Sequence, residues 1–208
     1  MEDIRQELRD SAELKLQVAA TQAEVIQAMI DCVWESMQLG GKLLLCGNGG
    51  SAADAQHLAT ECMVRLQYER CPLPAVALTT DTSLLTAAGN DFGFDRIFAR
   101  QVEGLGCAGD VLLALSTSGN SRNVLLAIEE AHRQGMRTLG LLGKDGGAMR
   151  DMVDIALVVP SSSTQRIQEL HITIGHILCA ALEHRALGTP LAIHKRLSEA
   201  EVLSWKRS

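Results

Sequence analysis

Aromatic side chains are scarce, with three Phe, two Trp and one Tyr among 208 residues. That removes the stacking platforms on which proteins hold single-stranded nucleic acid. It leaves an interior of Leu, Ile, Val and Ala, the composition that packs parallel sheets. A basic surplus is missing too: 19 Lys and Arg stand against 25 Asp and Glu, a formal charge of −6. No basic stripe is present to draw nucleic acid or an anionic membrane. No apolar run approaches the roughly 20 residues that cross a bilayer. Met1-Glu2-Asp3 is acidic where a secretory leader is basic, so a cytoplasmic protein is expected. The six cysteines (Cys32, Cys46, Cys62, Cys71, Cys107, Cys179) stand singly, without a C-x-x-C pair. Reduced thiols follow, and structural zinc of the cysteine type is excluded; a site made of His and Glu is not.

What the chain does have is organised around Lys42–His57. Leu43-Leu44-Leu45-Cys46 runs into Gly47-Asn48-Gly49-Gly50-Ser51 and then into small, helix-tolerant residues. This reads as a buried strand, a tight turn and a helix with Ser51 as its N-cap. Glycines let a ligand approach the backbone, and free N–H groups at a helix start favour an anion. Neither common nucleotide motif fits, because no Lys-Ser/Thr follows the glycines and Gly-x-Gly-x-x-Gly is absent. A plain strand-to-helix turn is the alternative.

The same pattern recurs along the chain. Two helices are expected over residues 2–38, with a weak point at Ala20-Thr21-Gln22, and their apolar faces suit either the chain's own sheet or a subunit interface. A helix from Ser51 to about Arg65 and a short strand at Ala75–Leu78 come next. A helix capped within Thr79–Ser83, a turn at Gly89–Gly93 and a helix from Phe94 to Glu103 follow. Val111–Leu115 reads as a buried strand emptying into Ser116-Thr117-Ser118-Gly119-Asn120-Ser121 and a helix to about Gln134. Arg137–Leu142 and Asp154–Val159 read as strands, and Thr164–Arg185 as a long helix. Strands alternating with helices at this spacing give an α/β fold, a parallel sheet covered on both faces. Ligands on such sheets bind beyond the C-terminal strand ends, where both loops lie. Residues 1–187 form one domain including the N-terminal helices, and 188–208 a polar tail without an assigned role.

The two strand ends, Cys46–Ser51 and Leu115–Ser121, resemble the sugar isomerase (SIS) domain. Further matches are Ala55-Gln56-His57, Glu61, Gly89–Phe94, Gly143-Lys144-Asp145-Gly146-Gly147, Arg166–His171 and His176. In this order and spacing, over roughly residues 5–187, they resemble the phosphoheptose isomerases. The resemblance implies a flavodoxin-like sheet of about five strands, with N-terminal helices for oligomerisation into a homotetramer. It implies conversion of sedoheptulose 7-phosphate to D-glycero-D-manno-heptose 7-phosphate, the start of bacterial heptose synthesis for lipopolysaccharide. One zinc per subunit would be held by His57, Glu61, Gln168 and His176. Substrate would be held by Asn48, Gly49, Gly50, Ser51, Glu61, Asn90, Asp91, Ser116, Thr117, Ser118, Ser121 and Gln168.

The implied chemistry suits these residue types. Moving a carbonyl between neighbouring carbons through an enediol needs a base and an acid, Glu61 and His176, with zinc as a Lewis acid. His57 and Glu61 are four apart and share a helix face, which fits two ligands of one ion, although spacing alone favours an ordinary salt-bridging or solvated pair. Around a helix His171 lies about 60° from Gln168 and His176 about 80°. Spacing does not choose between them, and the family motif selects His176, leaving His171 as a helix-face residue packed at an interface. Gln165 and Thr60 depart from the family, each standing where an acidic neighbour of the ligands is familiar.

A sister family keeps the fold and binds the bacterial replication initiator without isomerase activity. Its pattern lacks the carboxylate at Glu61 and the second histidine, both present here. A sugar-phosphate-sensing regulator would need a DNA-binding domain, and none is visible.

Overall fold

Five short apolar strands set the frame in the computed structural model, which describes residues 3–188. The expected tail therefore lies, but for Gly188, outside the described residues. The strands are β1 (Leu43–Gly47), β2 (Ala75–Ala77), β3 (Val111–Ser116), β4 (Arg137–Gly143) and β5 (Ile155–Val159). They pair in parallel in the order β2-β1-β3-β4-β5, the flavodoxin-like arrangement. Every residue of β1 and β3 is buried, which explains why these strands are unbroken apolar runs rather than alternating ones.

Alternate residues still go to different cores. Leu43, Leu45, Leu113 and Leu115 pack under α1 (Ile4–Gln38), α2 (Gly50–Met63) and α6 (Thr164–Gly188). Leu44, Cys46, Leu112 and Ala114 pack under α3 (Thr82–Phe92), α4 (Ala99–Leu105) and α5 (Arg122–Arg133). The parallel strands empty at one edge of the sheet, so the loops after β1, β3 and β4 gather there.

Three local expectations are corrected. The N-terminal segment is one helix of 35 residues, not two. It holds no Gly or Pro, and the hydroxyl of Thr21 donates to the Gln17 carbonyl one turn back instead of breaking the helix. Helix α3 runs on through Gly89 to Phe92, and the turn comes at Gly93, whose φ is 84°. Ser51 is not the N-cap of α2. Gly49 takes that place with φ 56°, a left-handed conformation that suits glycine, and Ser51 is buried in the first turn.

His171, expected on a helix face packed at an interface, instead packs inside this chain against β4. It is fully buried, with Nε2 3.1 Å from the accepting carbonyl of Leu142 and Nδ1 without a partner. Burial pushes its pKa down from 6.5 to about 4, with the Leu142 bond working the other way. The unfolded chain thus takes up a proton near pH 6.5 that the folded chain refuses until about pH 4. Stability from this group is complete above pH 6.5 and is lost as pH falls toward 4, at about 1.4 kcal/mol per unit, roughly 3 kcal/mol in all. Urea unfolding at pH 7, 5.5 and 4 should show this component in the parent and not in His171→Leu. Parallel pH curves for the two would disprove it.

Candidate active site

The loop after β1 is tied to the loop after β3 by a pair of side-chain amides. Asn48 Nδ2 donates to Asn123 Oδ1 at 2.8 Å, and Asn123 Nδ2 donates back to Asn48 Oδ1 at 2.9 Å. Asn123 is buried in the first turn of α5. The sequence reading missed it. The available signal was a polar residue just before the apolar run Val124–Ile128, two residues past Ser121. At the start of α2, the Gln168 amide sits against Gly50, its nitrogen 2.4 Å from where a Cβ would stand. Ser51 packs beneath Gly47.

The loop after β3 gathers hydroxyls. Ser116 Oγ lies 3.5 Å from Ser118 Oγ and 3.4 Å from Ser121 Oγ. It accepts from the Gly119 amide at 3.1 Å, while Ser118 Oγ accepts from the Asn120 amide at 3.2 Å. Ser121 occupies the N-cap of α5, yet its side chain makes no capping bond. Val124 already donates to the Ser121 carbonyl at 3.0 Å, but the Arg122 and Asn123 N–H groups and a hydroxyl stay available together, the combination that receives an anion. Thr117 is half-buried between them. The loop rests on the turn after β4: the Met149 amide donates to the Gly119 carbonyl at 3.0 Å, and the Ala148 amide to Asn120 Oδ1 at 3.0 Å.

A second cluster lies farther along α2. His57 Nε2 is 2.8 Å from His176 Nε2 and 3.3 Å from Glu61 Oε1, and one donor atom from each residue lies within 4.8 Å of the others. His57 and Glu61 come from successive turns of α2, and His176 from the neighbouring α6. Among the described residues this is the one group of His, Cys, Asp and Glu gathered closely enough to hold an ion. Two imidazole nitrogens facing each other beside a carboxylate put three donor atoms around one point, and a divalent cation accepts all three. The donor set thus fits a metal. Asp54, one turn earlier, was not singled out from the sequence although it stands three residues before His57. One of its oxygens is buried without a partner. Burial raises its pKa, and the two histidines pull it back.

The expected residues fall into two groups within one chain. Asn48, Gly49, Gly50, Ser51, Ser116, Thr117, Ser118, Ser121 and Gln168 gather at the strand ends. His57, Glu61 and His176 form the trio, and eight helical residues, about 12 Å, separate Gln168 from His176. Asn90 and Asp91 pair with each other on the exposed last turn of α3, with Asn90 Nδ2 donating to Asp91 Oδ1 at 2.8 Å. A cavity of ≈160 Å³ beside the glycine loop is lined by Asn48, Gly49, Thr79, Leu85 and Phe94. One of ≈410 Å³ opens beside His176. A larger cavity, ≈500 Å³, lies between the starts of α1 and α6 and contains none of these residues.

A family model for the SIS domain matches residues 8–143. A phosphoheptose isomerase from a Nitratiruptor species is 59% identical over 159 residues, 76% of this chain and 84% of that protein. One from Geobacter sulfurreducens is 54% identical over 185 residues, 89% and 98% of the two chains. The solved structure of phosphoheptose isomerase from Neisseria gonorrhoeae superposes with a TM-score of 0.83 at 43% identity, covering 87% of this chain and 97% of that one.

Proposed function

Because this chain belongs to the phosphoheptose isomerases of the SIS-domain family, we propose that it interconverts sedoheptulose 7-phosphate and D-glycero-D-manno-heptose 7-phosphate, the entry to bacterial heptose synthesis. The observation that carries this reading is the trio His57, Glu61 and His176, placed apart from a hydroxyl-lined anion loop. The phosphate and the reacting carbonyl stand at opposite ends of the sugar chain, so the phosphate-holding and proton-moving groups must be separated. Ser116, Ser118 and Ser121 with the start of α5 bind the phosphate. Glu61 takes the proton from C1 of the ketose while His176 gives a proton to the carbonyl oxygen at C2, which completes the enediol. His176 then takes the proton of the C1 hydroxyl as Glu61 returns its own to C2. His57, Glu61 and His176 are the side chains that would hold zinc; Gln168, the fourth ligand by the family motif, lies about 12 Å along α6 from His176 in the same chain, against Gly50. When bound, zinc supplies Lewis-acid polarisation of the sugar oxygens. Incubating the protein and zinc with sedoheptulose 7-phosphate should yield the aldose phosphate by NMR, and an unchanged ketose would end the reading. Binding to a replication initiator is not favoured, since the pattern of that sister family lacks a carboxylate at Glu61 and a second histidine.

Two expectations follow for the free protein. Ser118→Ala and Ser121→Ala should each weaken sugar-phosphate binding by roughly 1.5–3 kcal/mol, the worth of a hydrogen bond to a charged group, with the fold intact. Calorimetric titration that finds the double variant unchanged would move the phosphate elsewhere. The assembly should be a homotetramer of a cytoplasmic enzyme. The support is that Ile4, Leu8 and Leu16 are 74%, 68% and 71% exposed along α1, an apolar surface that water disfavours. No helix among the described residues is long and apolar enough to cross a membrane. A monomeric mass by light scattering at micromolar concentration would refute the tetramer.

A further inference from the structure

The segment after α2 encloses a buried ion pair whose remaining contacts go to the backbone around Glu61. Glu183, on the last turns of α6, is fully buried. Its carboxylate accepts from the amides of Leu66 at 3.0 Å, Gln67 at 2.8 Å and Tyr68 at 3.2 Å. Arg70 Nε lies 3.5 Å from Glu183 Oε1, both side chains being almost wholly shielded from solvent. The other arms of the guanidinium reach the end of α2. Nη2 donates to the Glu61 carbonyl at 2.8 Å, and Nη1 to those of Cys62 at 2.7 Å and Cys71 at 3.1 Å. Carbonyls in the last turn of a helix have no partner within the helix, so these bonds decide how that turn is held.

The trio is split between the two helices that this pair joins. Glu61 and His57 stand on α2 and His176 on α6, so their separation is the offset of one helix against the other. Between the trio and the ion pair the helices also touch through Cys62 Sγ and Cys179 Sγ, 3.8 Å apart. A buried ion pair is a weak source of stability, because desolvation cancels much of the attraction. Its directed bonds, by contrast, fix geometry. We propose that Arg70 and Glu183 are positioning residues that lock the last turn of α2 against α6 and thereby set Glu61 against His57 and His176 for metal binding and proton transfer.

This rests on the metal reading above, and the test separates the two. Zinc affinity is measured by competition with a chromophoric chelator for the parent, Glu183→Gln and Arg70→Lys, with circular dichroism confirming the fold. Both variants should bind zinc about 10–100-fold more weakly, as when groups that orient metal ligands are removed. A purely structural pair would lower the melting temperature and leave zinc affinity within about twofold, which would overturn the proposal. A second measurement needs no variant. By linkage, zinc should slow amide exchange at Leu66, Gln67 and Tyr68 more than at Cys107, whose amide donates to Asp110 in the turn between α4 and β3, on neither helix of the trio. Equal slowing at both places would overturn the proposal even if the variants failed to fold. A parent that binds no zinc would refute the metal reading itself.

Discussion

Glu61→Gln should give a folded protein that still binds the sugar phosphate and isomerises it at least about 100-fold more slowly, the size of a general-base contribution. The amide keeps the shape of the side chain, and no buried apolar area is lost. It cannot accept a carbon-bound proton. Glu61 is 17% exposed beside a His57 that is 47% exposed, so the carboxylate is shielded yet not sealed from solvent. Because Gln is also a poorer ligand, the assay belongs at saturating zinc. Recovery of full activity there would mean that the loss came from the metal and not from the base. In the parent, turnover in deuterium oxide should place deuterium on the product carbon, since an enediol exposes that proton to solvent. Product free of deuterium would point to a hydride shift or a shielded base.

Gly119→Ala should be the most damaging single methyl group in the serine loop after β3. Gly119 has φ 63°, and an added Cβ would lie 1.8 Å from the carbonyl oxygen of Gly146 and 2.3 Å from its carbon. Both are backbone atoms, which cannot swing aside as a side chain can. The left-handed conformation costs an L-residue about 1–2 kcal/mol and the overpacking about 1–3 more. The loop relieves this by leaving the turn after β4, which breaks the Met149-to-Gly119 bond and scatters the hydroxyls of Ser116, Ser118 and Ser121. Urea unfolding should show a loss of about 3 kcal/mol, and the KM for sugar phosphate should rise at least about tenfold. Unchanged stability and KM would show that the two turns are not coupled.

The sheet could be read from the sequence because its central strands are buried on both faces, so burial itself writes the apolar runs Leu43–Cys46 and Val111–Leu115. The glycine and serine loops were legible for a related reason, since a turn that receives an anion needs glycine and short hydroxyl side chains. Two of the trio were within reach too, as His57 and Glu61 share a face of α2 by spacing alone. The choice of His176 over His171 was not. It depends on which side of α6 meets α2 and which meets β4, a fact of packing that a helical angle does not carry. The same holds for Asn48 and Asn123, 75 residues apart and matched only after the sheet places β1 beside β3. The supposed break in α1 failed because Thr21 finds its hydrogen bond inside the helix.

The split of the trio between α2 and α6 also has a meaning in time. His57 and His176 are 119 residues apart, and at about 5–20 residues per second the ribosome needs roughly 6 to 24 s to make that stretch. Throughout that interval the nascent chain carries the two α2 members of the trio without the third, while β2 to β5 are made. Glu183 arrives later still. A complete trio is therefore reserved for a chain whose sheet has already been synthesised, and a polypeptide cut short before α6 has every strand and only two of the three side chains.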